Sequence, residues 1–156
     1  MTLTTSAQTC KEVCGVSFGS SYNVLKNKLS SLYGTPDKTS NKTEINYTRK
    51  AVEGFTFDNL TFEVQYDSKG KSYFSGAMFF SVYDNVDAAI KNRDLLAEKM
   101  RSKYEIINIL DDNEYIRYYG GKSPVDSEQN AFTIFIVKTA NNAYALCLGY
   151  GKFNYC

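Results

Sequence analysis

Four cysteines are the side chains of this chain best suited to covalent chemistry, and all lie near its ends: Cys10, Cys14, Cys147 and Cys156. An even set at both termini predicts disulfides that tie the ends down. Nested bridges, Cys14 with Cys147 and Cys10 with Cys156, would close very long loops, each worth roughly 4–5 kcal/mol of lost chain entropy. Local bridges, Cys10 with Cys14 and Cys147 with Cys156, would stabilise less and need no meeting of the termini. A bridge joining the two ends is the favoured reading. A four-thiolate zinc site is the rival: Cys10 and Cys14 have the spacing of a zinc knuckle, but Cys147 and Cys156 are too far apart for one. No metal is therefore assigned.

Other chemistry is weaker. The chain has no histidine, which removes serine–histidine and cysteine–histidine nucleophiles together with histidine-ligated zinc, haem and non-haem iron. Ser68-Lys69-Gly70-Lys71 has serine–x–x–lysine spacing, yet that chemistry needs the serine at a helix start, and here it falls in a turn. Asp111, Asp112 and Glu114 gather three carboxylates without the spacing or the glycine of a calcium loop. Asp58, Glu63 and Asp67 offer no pair at a selected separation. Gly120-Gly121 lacks the strand–loop–helix setting of a phosphate cradle and reads as a turn. The expectation is a protein that is not an enzyme and carries no cofactor.

Eighteen basic residues against 17 acidic ones leave a net charge of +1. Nucleic-acid binders carry a basic excess that displaces counterions from phosphates, so no nucleic-acid partner is expected. No apolar run is long enough to span a bilayer. Thr5-Ser6-Ala7 before Gln8 looks like the small-residue tail of a trimmed secretory signal, and with the cysteines it predicts a secreted or periplasmic protein. Residues 1–9 are expected to be a tail, and 10–156 a single domain.

The elements that would position a site follow from periodicity. Tyr22, Leu25, Leu29 and Leu32 recur at helical spacing between a serine cap at Ser20 or Ser21 and a stop at Gly34 and Pro36. After the polar loop 35–43 comes a short strand at Glu44–Thr48. Leu60, Phe62, Val64 and Tyr66 then alternate with polar residues, and the turn Asp67–Lys71 leads to a partner strand, Tyr73–Tyr83. That strand is expected to turn Phe74, Met78, Phe80 and Val82 inward. A second helix starts near Asp84 or Asn85 and carries Val86, Ala89, Ile90, Ala97, Met100 and Tyr104 on its inner face. Its charges, Arg93 and Asp94 among them, read as a solvated face. Hairpins at Ile106–Leu110 with Tyr115–Tyr119, and at Phe132–Lys138 with Ala143–Tyr150, complete the chain. Cys147 falls on a small-residue face of the last strand, where a tethered N-terminal segment could lie.

The fold class is α+β: an antiparallel sheet with two main helices on one face. The pattern of the two halves suggests a duplicated helix-plus-strands unit, each helix ending in tyrosine (Tyr33, Tyr104) and continuing through a short strand to a long hairpin. Of 13 tyrosines and 10 phenylalanines, those left over by the inward faces define the candidate binding site: Tyr115, Tyr118, Tyr119, Phe79 and Tyr83. On the helix-free face they would form an aromatic patch for a protein or cell-envelope component. A carrier holding a small apolar or glycan ligand between sheet and helices is the alternative.

The stretch GVSFGSSYNVLKNKLSSLYGTPD, with Gly15, Phe18, Gly19, Leu25, Leu29, Tyr33, Gly34 and Pro36, resembles exported bacterial domains of the outer-membrane assembly lipoprotein (SmpA/OmlA) and β-lactamase-inhibitor-like group. It is also similar to small secreted proteins of gut Bacteroidetes. The resemblance implies binding or assembly rather than catalysis.

Overall fold

The structure, a computed structural model, describes residues 8–110 and 115–155. A two-stranded hairpin comes first, β1 (Glu12–Val13) with β2 (Val16–Ser17), and then α1 (Tyr22–Tyr33). A three-strand meander follows, β3 (Glu44–Val52), β4 (Phe55–Tyr66) and β5 (Ser72–Tyr83). The second helix, α2 (Val86–Arg101), leads into a four-strand meander: β6 (Ile106–Leu110), β7 (Ile116–Lys122), β8 (Asn130–Lys138) and β9 (Tyr144–Tyr150). Each helix thus opens a run of antiparallel strands. The two runs join through β5 and β9 into one seven-stranded antiparallel sheet, ordered β3-β4-β5-β9-β8-β7-β6. Both helices pack on this sheet, as expected for the α+β class.

Local chemistry explains the boundaries. The Ser21 side chain accepts a hydrogen bond from the Val24 N–H and so satisfies one orphan donor of the first turn of α1, while Gly34 takes φ 85° at its end. Asn85 caps α2 in the same way through Ala88 N. Leu25 and Leu29 are fully buried, each stabilising by about 1.5–3 kcal/mol through removal from water. Leu32, expected on the same stripe, is instead 54 % exposed. The β3–β4 turn is Glu53-Gly54, with φ of 52° and 74°, the double left-handed geometry that matches the twist of a two-residue hairpin. This hairpin lengthens the expected short strand to Val52.

Four expectations are corrected. The first concerns which way β5 faces. Glu63 of β4 pairs with Gly76, but Val64 pairs with Phe74, so Ser75 is an extra residue and the alternation slips there. Phe74 points to the helices, yet beyond the bulge Ala77 and Phe79 take the inward positions, while Met78 and Val82 are exposed. A one-residue slip exchanges the faces of every later side chain.

The second concerns Arg93, which is 5 % exposed. Its guanidinium bonds Asp94 Oδ1 at 2.9 Å, donates to the Ile116 carbonyl at 3.2 Å, and lies 5.1 Å from the Tyr118 ring centre. The Tyr118 hydroxyl in turn donates to Asp94 Oδ1 at 3.0 Å. A paired, hydrogen-bonded guanidinium with its stem packed against a ring can be buried where a bare charge cannot.

Third, Cys10, Cys14 and Cys147 are free thiols, so no disulfide is seen; Cys156 lies outside the described residues. Cys10 and Val13 belong to the main core with Leu25, Phe62 and Phe79, whereas Cys147 sits on the opposite side of the sheet.

Fourth, Gln8 and Thr9 are not tail. Thr9 forms a parallel bridge with Lys122, Lys122 N donates to Gln8 O at 3.0 Å, and Cys10 N donates to Lys122 O at 2.9 Å. The N-terminal segment is therefore pinned beside β7 and not against the small residues of β9. The carboxylates Asp111, Asp112 and Glu114 lie outside the described residues.

Candidate functional site

The five residues expected on an exposed aromatic patch are divided by the sheet. Phe79 is fully buried, and Tyr118 is 8 % exposed under α2. Tyr83 and Tyr115 pack half-buried against the same core, with the Tyr115 ring 6.4 Å from that of Tyr144. Tyr119 alone of the five faces away from the helices. Tyr118 takes the inward position because Asp94 and Arg93 of α2 bind its hydroxyl and ring, and its neighbour must then point outward.

The helix-free face carries a different set, readable as cross-strand rows. One row runs Ile107, Tyr119, Thr133, Gly149, Met78. A second runs Phe135, Cys147, Phe80, and a third Val137, Ala145, Val82. Met78 is 36 %, Val82 43 %, Val137 44 %, Ile107 48 % and Ile109 49 % exposed. These are adjacent positions on neighbouring strands, so they form a continuous apolar surface rather than scattered exposures. Gly149 lets Met78 lie across the strand: a Cβ there would come within 3.0 Å of Met78 Cε. Arg117 covers the Phe135 ring at 4.4 Å. The Thr133 hydroxyl beneath this row is buried with no hydrogen-bond partner. Burial pushes the Cys147 thiol up to about 11, against the opposing pull of Arg117.

Sequence reasoning missed Met78, Phe80 and Val82 as surface residues, together with Phe135, Val137, Ile107 and Ile109. A signal was present. Residues 131–137 of β8, AFTIFIV, are apolar at nearly every position, the pattern of a strand dry on both faces. The sheet has one dry face under the helices and builds a second that no described element covers.

A second feature lies at the C-terminal ends of both helices. Tyr33 Oη is 3.4 Å from Cys14 Sγ and donates to the Ala51 carbonyl at 2.6 Å. The tyrosine proton is thus committed to Ala51, and the thiol proton points to the tyrosine oxygen. Tyr104, just past α2, stands beside Cys10, whose thiol donates to the Glu12 carbonyl at 3.8 Å. The N-terminal segment therefore bridges the two equivalent tyrosines. Burial raises both thiols to about 11 and holds Tyr33 and Tyr104 above the usual phenol range. All four groups are neutral at pH 7, which makes these thiols poor nucleophiles. Beside them opens a cleft of about 480 Å³ lined by Cys14, Leu32, Tyr33, Glu53, Lys103 and Tyr104, with Lys103 and Glu53 paired at 2.9 Å.

Among the described residues no group of three or more histidine, cysteine, aspartate or glutamate side chains is placed to hold a metal ion. No helix among them is long and apolar enough to cross a membrane. No family model, no curated protein and no solved structure matches this chain.

Proposed function

We propose that the protein is a non-catalytic binding module that docks a protein partner on the helix-free face of its sheet. The observation that supports this reading is the continuous surface of Met78, Val82, Val137, Ile107 and Ile109, each more than a third exposed, around half-buried Phe80, Phe135 and Tyr119. Partner interfaces have such an apolar centre, with aromatic, methionine and arginine side chains enriched in it. Arg117 and Tyr119 supply the polar contacts. The Arg117 guanidinium is held over the Phe135 ring. Export is part of the proposal, and it rests on the Thr5-Ser6-Ala7 run rather than on cross-links.

The test uses two baits immobilised against envelope extract: the native chain, and a Val82→Lys, Val137→Lys variant. A protein retained by the first, lost by the second and binding in purified form supports the reading. Identical retention by both baits, or none by either, overturns it.

The cleft beside Cys14 favours a second reading, a small-ligand carrier. The expected position of the ligand moves with it. The space between sheet and helices is filled by Phe57, Phe62, Phe74, Phe79 and Phe132, each 2 % exposed or less, so a ligand would sit at the helix ends.

A further inference from the structure

Among the described residues β6 is an edge strand, paired on one side with β7 and on the other with no described strand. Gly121 N donates to Glu105 O, and the pairing continues with Ile107 opposite Tyr119 and Ile109 opposite Arg117. In an antiparallel ladder the bonded pairs alternate, so the backbone groups of Ile107 and Ile109 point to β7, and those of Ile106, Asn108 and Leu110 point outward. No described residue bonds the outward groups of Ile106 and Asn108.

The strand carries none of the devices that keep an edge from pairing. It has no charge, no proline and no bulge over Ile106-Ile107-Asn108-Ile109-Leu110. Its residues are β-branched at three of five positions, which suits a ladder. The order of residue types is also symmetric about its centre. Turned antiparallel against itself with Asn108 opposite Asn108, the strand places Ile107 opposite Ile109 and Ile109 opposite Ile107. The outward groups of Asn108 then meet their own symmetry mates, and the exposed isoleucines form two cross-strand pairs on the helix-free face.

We propose that two copies of this chain associate edge to edge through β6, about a two-fold axis at Asn108, into one continuous sheet. The occupant of the edge is a second copy rather than a foreign strand, because the sequence symmetry matches the strand to itself. The association is independent of the docking reading above. Edge pairing leaves the helix-free face open and joins the two faces across the axis. The contact is small, so the dimer is weak, with a Kd on the order of 100 μM.

Sedimentation equilibrium from ~10 μM to ~1 mM reads the association, and hydrogen exchange at the two extremes reads its location. The native chain is expected to dimerise over this range, with the Asn108 amide slowed about fourfold at the higher concentration. Asn108→Pro removes an outward N–H and no bond to β7, so the variant keeps its fold by circular dichroism and loses the dimer. Because proline can still strain the strand, a charge exchange provides a second arm. Ile107→Lys with Ile109→Lys, and Ile107→Glu with Ile109→Glu, alter side chains that are 48 % and 49 % exposed. Each double variant alone is expected to be monomeric, through like charges facing each other across the axis, and an equimolar mixture is expected to form a heterodimer. A native chain that stays monomeric at 1 mM, a dimer that survives Asn108→Pro, or a mixture that stays monomeric overturns the proposal.

Discussion

The two edges of the sheet are treated in opposite ways. At the β3 edge the polar loop folds back on the strand: Asp37 N donates to Asn46 O at 2.8 Å, and Asn46 N donates to Ser40 Oγ at 2.9 Å. Asn41 N meets Glu44 O, and at the far end Tyr33 Oη meets Ala51 O. Between them Arg49, at φ 50°, bends the strand out of the extended region. The β6 edge has no such cover among the described residues and is apolar at four of its five positions. A loop, a kink and a tyrosine guard one edge, and no described residue guards the other, which is the edge proposed to pair.

Four measurements break or sharpen this contrast, from the largest expected effect to the smallest. The first is alkaline titration. Cys10, Cys14 and Cys147 are held at about 11 in the folded chain against 9.0 for an unperturbed thiol. The unfolded chain releases these protons first, so stability is fully present below pH 9 and falls as the pH rises towards 11. Thermal melts should be flat from pH 6 to 8 and drop steeply above 9. The loss should start at the covered edge, where Tyr33 joins Cys14 to Ala51, and amide exchange along β3 will report it.

The second is Gly120→Ala on β7. Its Cβ would stand 2.5 Å from Phe132 Cζ and 2.8 Å from the Glu105 carbonyl. A ring and a backbone must both move, and no second strand among the described residues holds β6. Urea unfolding should show a loss of about 3 kcal/mol.

The third is Asn46→Ala, which deletes the amide that accepts from Thr61 Oγ1 and donates to Thr39 and Glu44. A cost of about 1–2 kcal/mol is expected, with faster exchange at the amide of Asp37, whereas the open edge should be unaffected.

The smallest is Arg49→Gly. A left-handed non-glycine residue is strained by about 1 kcal/mol, partly offset by the entropy glycine loses, so a gain of about 0.5 kcal/mol is expected in the same urea experiment.

Both helices and three of the hairpins were legible because each rests on local signals: Ser20 or Ser21 and Asp84 or Asn85 at the helix starts, Gly34 as a stop, and alternation from Leu60 to Tyr66, whereas the β3–β4 hairpin was not. The site was less legible, because a face is defined by parity summed along a strand. One extra residue, Ser75, inverted the assignment of Met78, Phe79, Phe80 and Val82. At Tyr118-Tyr119 the choice of inward ring depends on Arg93 and Asp94, which come from a helix more than twenty positions earlier. The buried state of Arg93 was hidden for the same reason, since its partners are a backbone carbonyl and a ring on β7. The cysteines misled through their placement at the termini. Cys10 and Cys14 lie beside the tyrosines at the two helix ends rather than against another sulfur, and the Cys147 thiol donates to the Ala145 carbonyl on the opposite side of the sheet.

The N-terminal segment has a consequence for how the chain assembles. Phe18 stacks on Phe74 at 4.7 Å and meets the ring of Phe153 edge-on at 4.8 Å, while Thr9 and Cys10 are held by Lys122. The stretch synthesised early can thus settle only once the last strands are in place, and ring closure across nearly the whole polypeptide falls late in folding. Until that step the rings of Phe74 and Phe153 lack the cap that Phe18 supplies.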